Sequence, residues 1–213
     1  MKNKIVIWGA SGHASVIADI LNLRSEYKIV GFLDDINKDL YGADFCGAKI
    51  LGGRKRLKTL YDDGVRNIII GIGNCSVRVS LSNIALREGF FLVNAIHPNA
   101  IVAKSVKLGK GVVIMAGSVI NPGSKIGDNV IINTCASVDH DCIIGDGAHI
   151  CPGVRLAGSV EIGRESWIGI GSVIKDKIKI GERTIIGAGS VVIKDIPSNV
   201  TAFGTPAEVR IRQ

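Results

Sequence analysis

Three stretches of this 213-residue chain carry residues whose types and spacing can do chemistry. Asp139-His140-Asp141 sets an imidazole between two carboxylates. A neutral imidazole with a carboxylate nearby is a competent general base near pH 7. Adjacency leaves open which aspartate meets the ring, because neighbours on an extended strand point to opposite faces. His149 is a second isolated polar ring in an aliphatic run. Gly9-Ala-Ser-Gly12-His13 follows an apolar strand and opens a helical pattern, where backbone N–H groups can receive a phosphate. Asp34-Asp35 closes the next strand, about 20 residues on, where acids accept hydrogen bonds from a ribose or base. Each stretch has a plain alternative. Asp139–Asp141 also reads as a solvated patch, and Gly9–Gly12 as a tight strand-to-helix turn. Only Gly9 and Gly12 fit a GxxG pattern, short of the three glycines of a dinucleotide fingerprint, so a nicotinamide dehydrogenase is disfavoured. A bound mononucleotide is the better functional reading.

Other chemistries find little support. Five cysteines, an odd number, show neither a CxxC pair nor metal-ligand spacing and read as reduced filler of a cytoplasmic protein. No metal site is expected. The net charge of +7 splits evenly between the halves, with no basic block and no interleaved aromatics to stack bases. Nucleic acid is therefore not the expected partner, and a mild positive field suits phosphorylated small molecules. No run of about 18 apolar residues predicts a membrane span, and the N-terminus opens on a strand pattern rather than a leader.

The scaffold that must hold His140 and His149 is written in steps of six. From Val102, through Leu108, Ile114, Ile120 and on to Val192, all sixteen positions are Ile, Val or Leu. The residue four further on is small or aliphatic, as at Ser118, Ala136, Cys142, Ser172 and Ser190. This is a hexapeptide repeat of the β-helical kind. Three hexads make one triangular turn of 18 residues. Turns stack about 4.8 Å apart, so sixteen hexads give a prism roughly 25 Å long. Positions 18 apart lie above one another: His140 has Pro122 and Gly158 as neighbours, and His149 has Ile131 and Trp167. With Val138 and Cys142 inward, His140 is expected near the middle of a face, with space left beside it by Gly158.

Residues 1–96 read as a small α/β unit. Strands are predicted over Lys4–Trp8, Lys28–Leu33 and Asn67–Ile72, helices after Gly12 and over about Ser76–Glu88, and a last strand over Phe90–Ala95. Gly71-Ile-Gly73-Asn74 is a second glycine turn leading into a helix. Gly42–Gly53 reads as a loop with one short strand. Ile96-His97-Pro98-Asn99 forms the hinge, since Pro98 holds its predecessor extended, and His97 reads as a linker residue.

These motifs together resemble the hexapeptide-repeat sugar acyltransferases, the group of sialic acid O-acetyltransferases and nucleotide-sugar N-acetyltransferases. The resemblance runs the length of the chain: Gly9–His13, Phe32–Asp35, Gly71–Asn74, Asn133–Cys142, His149–Gly153 and Gly204-Thr-Pro-Ala207 stand in the family's order. It implies a Rossmann-like α/β domain (residues 1–96) joined to a left-handed parallel β-helix (residues 97–213). It implies His140 as general base and Asp141 as the carboxylate that raises its basicity. Ser11, Gly12, His13, Asp34, Asp35 and Gly73 match the nucleotide-sugar contacts, with Asn133 near the acceptor. His149, Ile170 and the backbone of Ala188 match the acetyl-CoA contacts, and Gly158 is a candidate oxyanion donor. A homotrimer with each site shared between two β-helices is implied as well. The activity implied is acetyl-CoA-dependent N-acetylation, without a metal, of a nucleotide-linked 4-amino-4,6-dideoxy sugar of the UDP-bacillosamine-precursor type. O-acetylation of a sialic acid and a non-catalytic nucleotide-sugar sensor are the alternatives. Nothing in the chain demands a covalent acyl intermediate, so direct attack is expected.

Overall fold

The computed structural model describes residues 2–210 and divides the chain into two compact units, Met1–Pro98 and Asn99–Gln213. In the first unit, β1 (Asn3–Trp8), α1 (Gly12–Arg24), β2 (Tyr27–Leu33), β3 (Asp44–Phe45), β4 (Ala48–Gly52), α2 (Leu57–Asp62), β5 (Asn67–Ile70), α3 (Cys75–Arg87) and β6 (Phe91–Leu92) follow in order. The sheet runs β3-β4-β2-β1-β5-β6, parallel except at the β3–β4 hairpin. Ile5, Val6, Ile7 and Trp8 are all buried, although alternate residues point to opposite faces. That is the signature of a parallel sheet covered on both sides. Val6 and Trp8 join Leu57, Leu60, Ala85 and Phe90 in one core cluster, which α2 and α3 help to build.

Two local expectations need correction. The Gly42–Gly53 stretch supplies two strands, of which β4 pairs with β2 through Phe32↔Ile50 and Leu33↔Gly52 and extends the sheet. Of the strand expected over Phe90–Ala95, only Phe91–Leu92 pairs with β5. An apolar run has no period that separates strand from packed loop.

As far as Val192, the second unit is a parallel β-helix of two-residue strands. Its faces carry Val113–Ile114 to Ile185–Ile186, Ile101–Val102 to Val191–Val192, and Lys107–Leu108 to Lys179–Ile180, each strand pairing with the one 18 residues on. Every sixth aliphatic from Ile114 to Val192 is buried, while Val102 and Leu108 on the first coil are half-buried. Each such Ile contributes roughly 1.5–3 kcal/mol by leaving water. The small residues four further on are buried too, and their hydroxyls are satisfied across coils: Ser118 Oγ donates to Asn133 O at 2.9 Å and Ser166 Oγ to Gly181 O at 2.7 Å. A buried serine therefore costs the interior little.

Candidate active site

The His140–Asp141 pair stands at a corner of the β-helix rather than on one of its faces. His140 follows the strand Ser137–Val138 at a turn, where the sequence predicted mid-face. A two-residue strand leaves only Ser137 and Val138 on the face, so the third residue of the hexad begins the bend. Asp141, the next turn residue, has φ 58°. Asp tolerates that left-handed conformation better than most residues, and it swings the side chain back beside its neighbour. His140 Nδ1 lies 2.9 Å from Asp141 Oδ2. A carboxylate only accepts hydrogen bonds, so in the neutral ring Nδ1 carries the proton and Nε2 keeps its lone pair. The question that adjacency left open is answered: Asp141 meets the imidazole. Its hydrogen bond is the main cause that raises the His140 pKa above its ordinary value, opposed by desolvation and helped by the charges of Asp139 and Asp141.

Asp139 is employed elsewhere. Its Oδ1 accepts from the His140 backbone N–H at 2.8 Å and from Asn121 Nδ2 at 2.7 Å. The Asn121 side-chain bond, then the His140 backbone bond, lowers its pKa against a small desolvation.

Two glycines make room for this dyad. A Cβ on Gly158 would lie 2.6 Å from His140 Nε2, and one on Gly123 would lie 2.1 Å from Asp141 Oδ1. Gly158 was expected beside His140 from the 18-residue map. Gly123 and Asn121 were missed, although the same map places them under Asp141 and Asp139.

A second polar group lies on another face and the corner that follows it. His149 is buried on its strand, its ring 4.3 Å from that of Trp167 in an edge-on contact. Asn133 Oδ1 accepts from Thr134 N at 2.8 Å, which turns Nδ2 toward His149 Nε2 at 3.0 Å. His149 Nε2 is then the acceptor. Ile170 and Ala188 are turn residues on the corner that follows this face, stacked through Gly189 N–H donating to Ile170 O at 2.8 Å. Within one chain, the predicted residues thus form two groups. His140, Asp141 and Gly158 stand at one corner, and Asn133, His149, Ile170 and Ala188 about the preceding one.

The first unit has its own cavity, about 330 Å³, at the carboxyl ends of β1 and β2, with Ser11, Asp34, Asp35 and Ile72 among its walls. The chain leaves β1 for β2 on one side and later takes up β5 on the other, so the cavity opens at a topological switch point, where ligands of open α/β sheets bind. Close approach explains Gly9 in its wall and Gly71 after β5. Gly9 has φ +135°, and its Cβ would lie 2.5 Å from Gly71 O; a Cβ on Gly71 would meet Ala14 Cβ at 2.8 Å. Gly12 and Gly73 differ, since a Cβ on either meets nothing within 4 Å. Open space, rather than packing, lies beside those two.

The paired aspartates build the loop as well as lining the cavity. Asp34 Oδ1 accepts from Ile36 N at 2.7 Å and Asn37 N at 2.9 Å, and Oδ2 from Asn37 Nδ2 at 3.0 Å. Burial pushes its pKa up, and these hydrogen bonds outweigh that and leave it lowered. Asp35 Oδ2 accepts from Trp8 Nε1 at 3.1 Å and Oδ1 from Arg54 N at 2.7 Å. Arg78 was missed. It is wholly buried on α3, and its Nη1 donates to Ile72 O and Gly73 O at 3.0 and 2.6 Å, fixing the turn that precedes the helix. Desolvation, then the Arg78 charge, lowers the His13 pKa from 6.5 to about 4. Ser11 caps α1 by position, without a side-chain hydrogen bond. Among the described residues, no helix is long and apolar enough to cross a membrane.

Comparison with known proteins agrees with this anatomy. Residues 4–85 match the PglD N-terminal domain, and residues 123–158 and 159–194 match the bacterial transferase hexapeptide of six repeats. The structure of PerB from Caulobacter crescentus, in complex with CoA and GDP-perosamine, superposes with a TM-score of 0.93 at 39% identity, covering 98% of this chain and 97% of that one. The chain belongs to the hexapeptide-repeat sugar acetyltransferase family. Its second unit is accordingly the left-handed β-helix of that family. The acetyltransferase domain of PglB from Neisseria gonorrhoeae, in complex with acetyl coenzyme A, gives a TM-score of 0.91 at 36% identity over 99% of this chain and 100% of that one. The UDP-N-acetylbacillosamine N-acetyltransferase of Bacillus subtilis is 39% identical over 117 residues. That match spans 54% of this chain and about half, 52%, of the relative.

Proposed function

We propose that this protein transfers the acetyl group of acetyl-CoA to the amino group of a nucleotide-linked 4-amino-4,6-dideoxy sugar, with His140 as general base. The observation that carries the reading is the His140–Asp141 contact at 2.9 Å, which leaves Nε2 unprotonated above Gly158. Nε2 takes a proton from the amine as its nitrogen bonds to the thioester carbonyl carbon. The carbonyl oxygen gains the negative charge, for which the Gly158 backbone N–H is a donor candidate. Collapse expels the CoA thiolate, and the imidazolium returns the proton to sulfur. Base catalysis of this kind is worth about 10²–10⁴-fold.

Residues 1–96 bind the nucleotide sugar, through Ser11, Gly12, His13, Asp34, Asp35 and Gly73. Residues 97–213 carry the acetyl transfer. The open space at Gly12 and Gly73 supports backbone contact with phosphates there. His149, Ile170 and Ala188 contact acetyl-CoA, and Asn133, bonded to His149, lies near the acceptor. Their placement on a different corner from His140 supports a homotrimer in which the corner of one β-helix completes the site of the next. The GDP-perosamine and CoA bound by PerB, and the substrate named for the Bacillus subtilis relative, support an amino acceptor over a hydroxyl. Perosamine N-acetyltransferase structures in which one histidine is replaced by Asn or Ala agree with a histidine at the centre of the chemistry. Five free thiols suit the cytoplasm, where acetyl-CoA is made.

The test follows CoA release with UDP-, dTDP- and GDP-linked 4-amino sugars and with sialic acid in parallel. Turnover of at least one amino sugar is expected. Turnover with sialic acid alone would transfer the reading to O-acetylation, and none with any acceptor would leave a nucleotide-sugar sensor. Replacing His140 by Ala should lower kcat by at least about 10²-fold, and near-normal activity removes it from the base role.

A further inference from the structure

The coil before the dyad reaches up to it through residues 121–124. Asn121 Nδ2 donates to Asp139 Oδ1 at 2.7 Å, and the same oxygen receives the His140 backbone N–H at 2.8 Å. At the next residue, Pro122 O accepts from Asp141 N at 3.0 Å, and Gly123 leaves the slot in which Asp141 Oδ1 lies. Gly123 is itself anchored one coil lower, its N–H donating to Ser105 Oγ at 3.2 Å. Ser124 Oγ donates to Asp139 O at 2.8 Å. A ring and a carboxylate that are each more than half exposed have little packing to hold them, their side chains being 59% and 66% accessible. What fixes them is the backbone beneath.

We propose that residues 121–123 form a positioning platform for the acetyl-transfer site, in which Asn121 locks the His140 backbone through Asp139 and Gly123 admits the Asp141 carboxylate to its place against the imidazole. The inference rests on His140 being the base. Asn121 and Gly123 act through the dyad. A dyad loosened by about 1 Å loses rate by up to about 10²-fold without losing substrate affinity.

Asn121→Ala removes the lock while leaving the turn residues intact. Gly123→Ala drives the Asp141 carboxylate from its slot, but it also places a side chain at φ +79°. Gly64→Ala is the matched control, because Gly64 has φ +81° and a Cβ there meets nothing within 4 Å. Steady-state kinetics on the full chain should show kcat falling about 5-fold or more for Asn121→Ala and about 10-fold or more for Gly123→Ala, with both KM values within about 2-fold. Gly64→Ala should match the wild type. Imidazole ¹⁵N resonances of His140 should move toward the other tautomer in Gly123→Ala, a change that a general loss of stability does not produce. Wild-type kcat in both variants, or a rise in KM with kcat unchanged, overturns the platform. If Gly123→Ala unfolds, Asn121→Ala alone decides. His140→Ala, assayed alongside, separates the two ideas: activity retained there sinks the base assignment, whereas activity lost there and kept in Asn121→Ala sinks only the platform.

Discussion

An alanine at Gly158 places a methyl carbon 2.6 Å from His140 Nε2 and 2.7 Å from Cε1. Carbon contacts settle near 3.5–4.0 Å, so the ring must retreat by about 1 Å. Gly158 lies outside the left-handed region, and the substitution adds no backbone strain. The atoms it strikes are the far end of an exposed side chain, 59% accessible, which can swing into solvent. The fold therefore tolerates the change, and a surface substitution of this type stays within about 0.5 kcal/mol. Catalysis does not tolerate it, since a misplacement of about 1 Å costs on the order of 10²-fold. The backbone N–H of residue 158 survives, so oxyanion donation is not what the variant removes. Loss of thioester absorbance is the suitable assay, because Cys46 and Cys135 are exposed and would react with a thiol reagent. The expected outcome is kcat lowered about 10²-fold, with KM for both substrates within about 3-fold and an unchanged melting temperature. A kcat within about 3-fold of wild type would show that the imidazole does not work from above Gly158, and the dyad geometry would fall with it.

The acid limb of the kcat/KM profile should lie above pH 6.5, because Asp141 raises the His140 pKa and only the neutral ring is a base. Asp141→Asn should move that limb to lower pH while lowering the plateau; a limb that stays put would detach Asp141 from the titration. His13 acts on stability with a definite sign: its folded pKa, about 4, lies below the unfolded 6.5, so its contribution is complete above pH 6.5 and drains away as pH falls toward 4. Denaturant titrations should lose about 1.4 kcal/mol per pH unit in that window from this group, and His13→Gln should flatten the slope; an equal slope in the variant would refute the assignment. Gly9→Ala should destabilise the first unit, as its Cβ would meet Gly71 O at 2.5 Å, whereas Gly12→Ala, with nothing within 4 Å, should keep the melting temperature and raise only the nucleotide-sugar KM. A Gly12→Ala protein with normal KM would remove that residue from the ligand.

The β-helix was legible because its period is physical. Each coil needs an aliphatic at every sixth position to fill the prism, and Ile114 to Val192 meet that demand without a slip. The 18-residue stack also gave the Gly158 contact correctly. The α/β unit was legible in its central strands, where Ile5 to Trp8 are buried on both sides, and poorly at its edges. There Ala48–Gly52 joins the sheet with no alternation to announce it, its burial reading half-buried, exposed, buried, half-buried, buried. Arg78 was invisible because a charged residue on a helix reads as solvated, and its bonds to the carbonyls of Ile72 and Gly73 help to make its burial tolerable. Asp34 looked like a ligand for a nucleotide from its place after a strand. The same place is where an Asx turn begins, and sequence does not distinguish a carboxylate that binds outward from one that also ties its own loop.

His140 stands at a corner rather than mid-face for a physical reason. Consecutive residues on a strand face opposite sides of the sheet, so an adjacent His–Asp pair on a β-helix face could never touch. At a corner the rule lapses. The second turn residue there is left-handed on every coil from Gly123 through Asp141 and Ser159 to Lys177, and that bend alone lets neighbours in sequence become partners in space. A catalytic pair one residue apart is therefore itself an argument for a corner. The same reasoning bears on the proposed trimer, because Ile170 and Ala188 stand on a different corner from His140. A second copy of the prism facing the His140 corner would bring the two groups together, which ties the proposed trimer to the turn that makes the dyad possible.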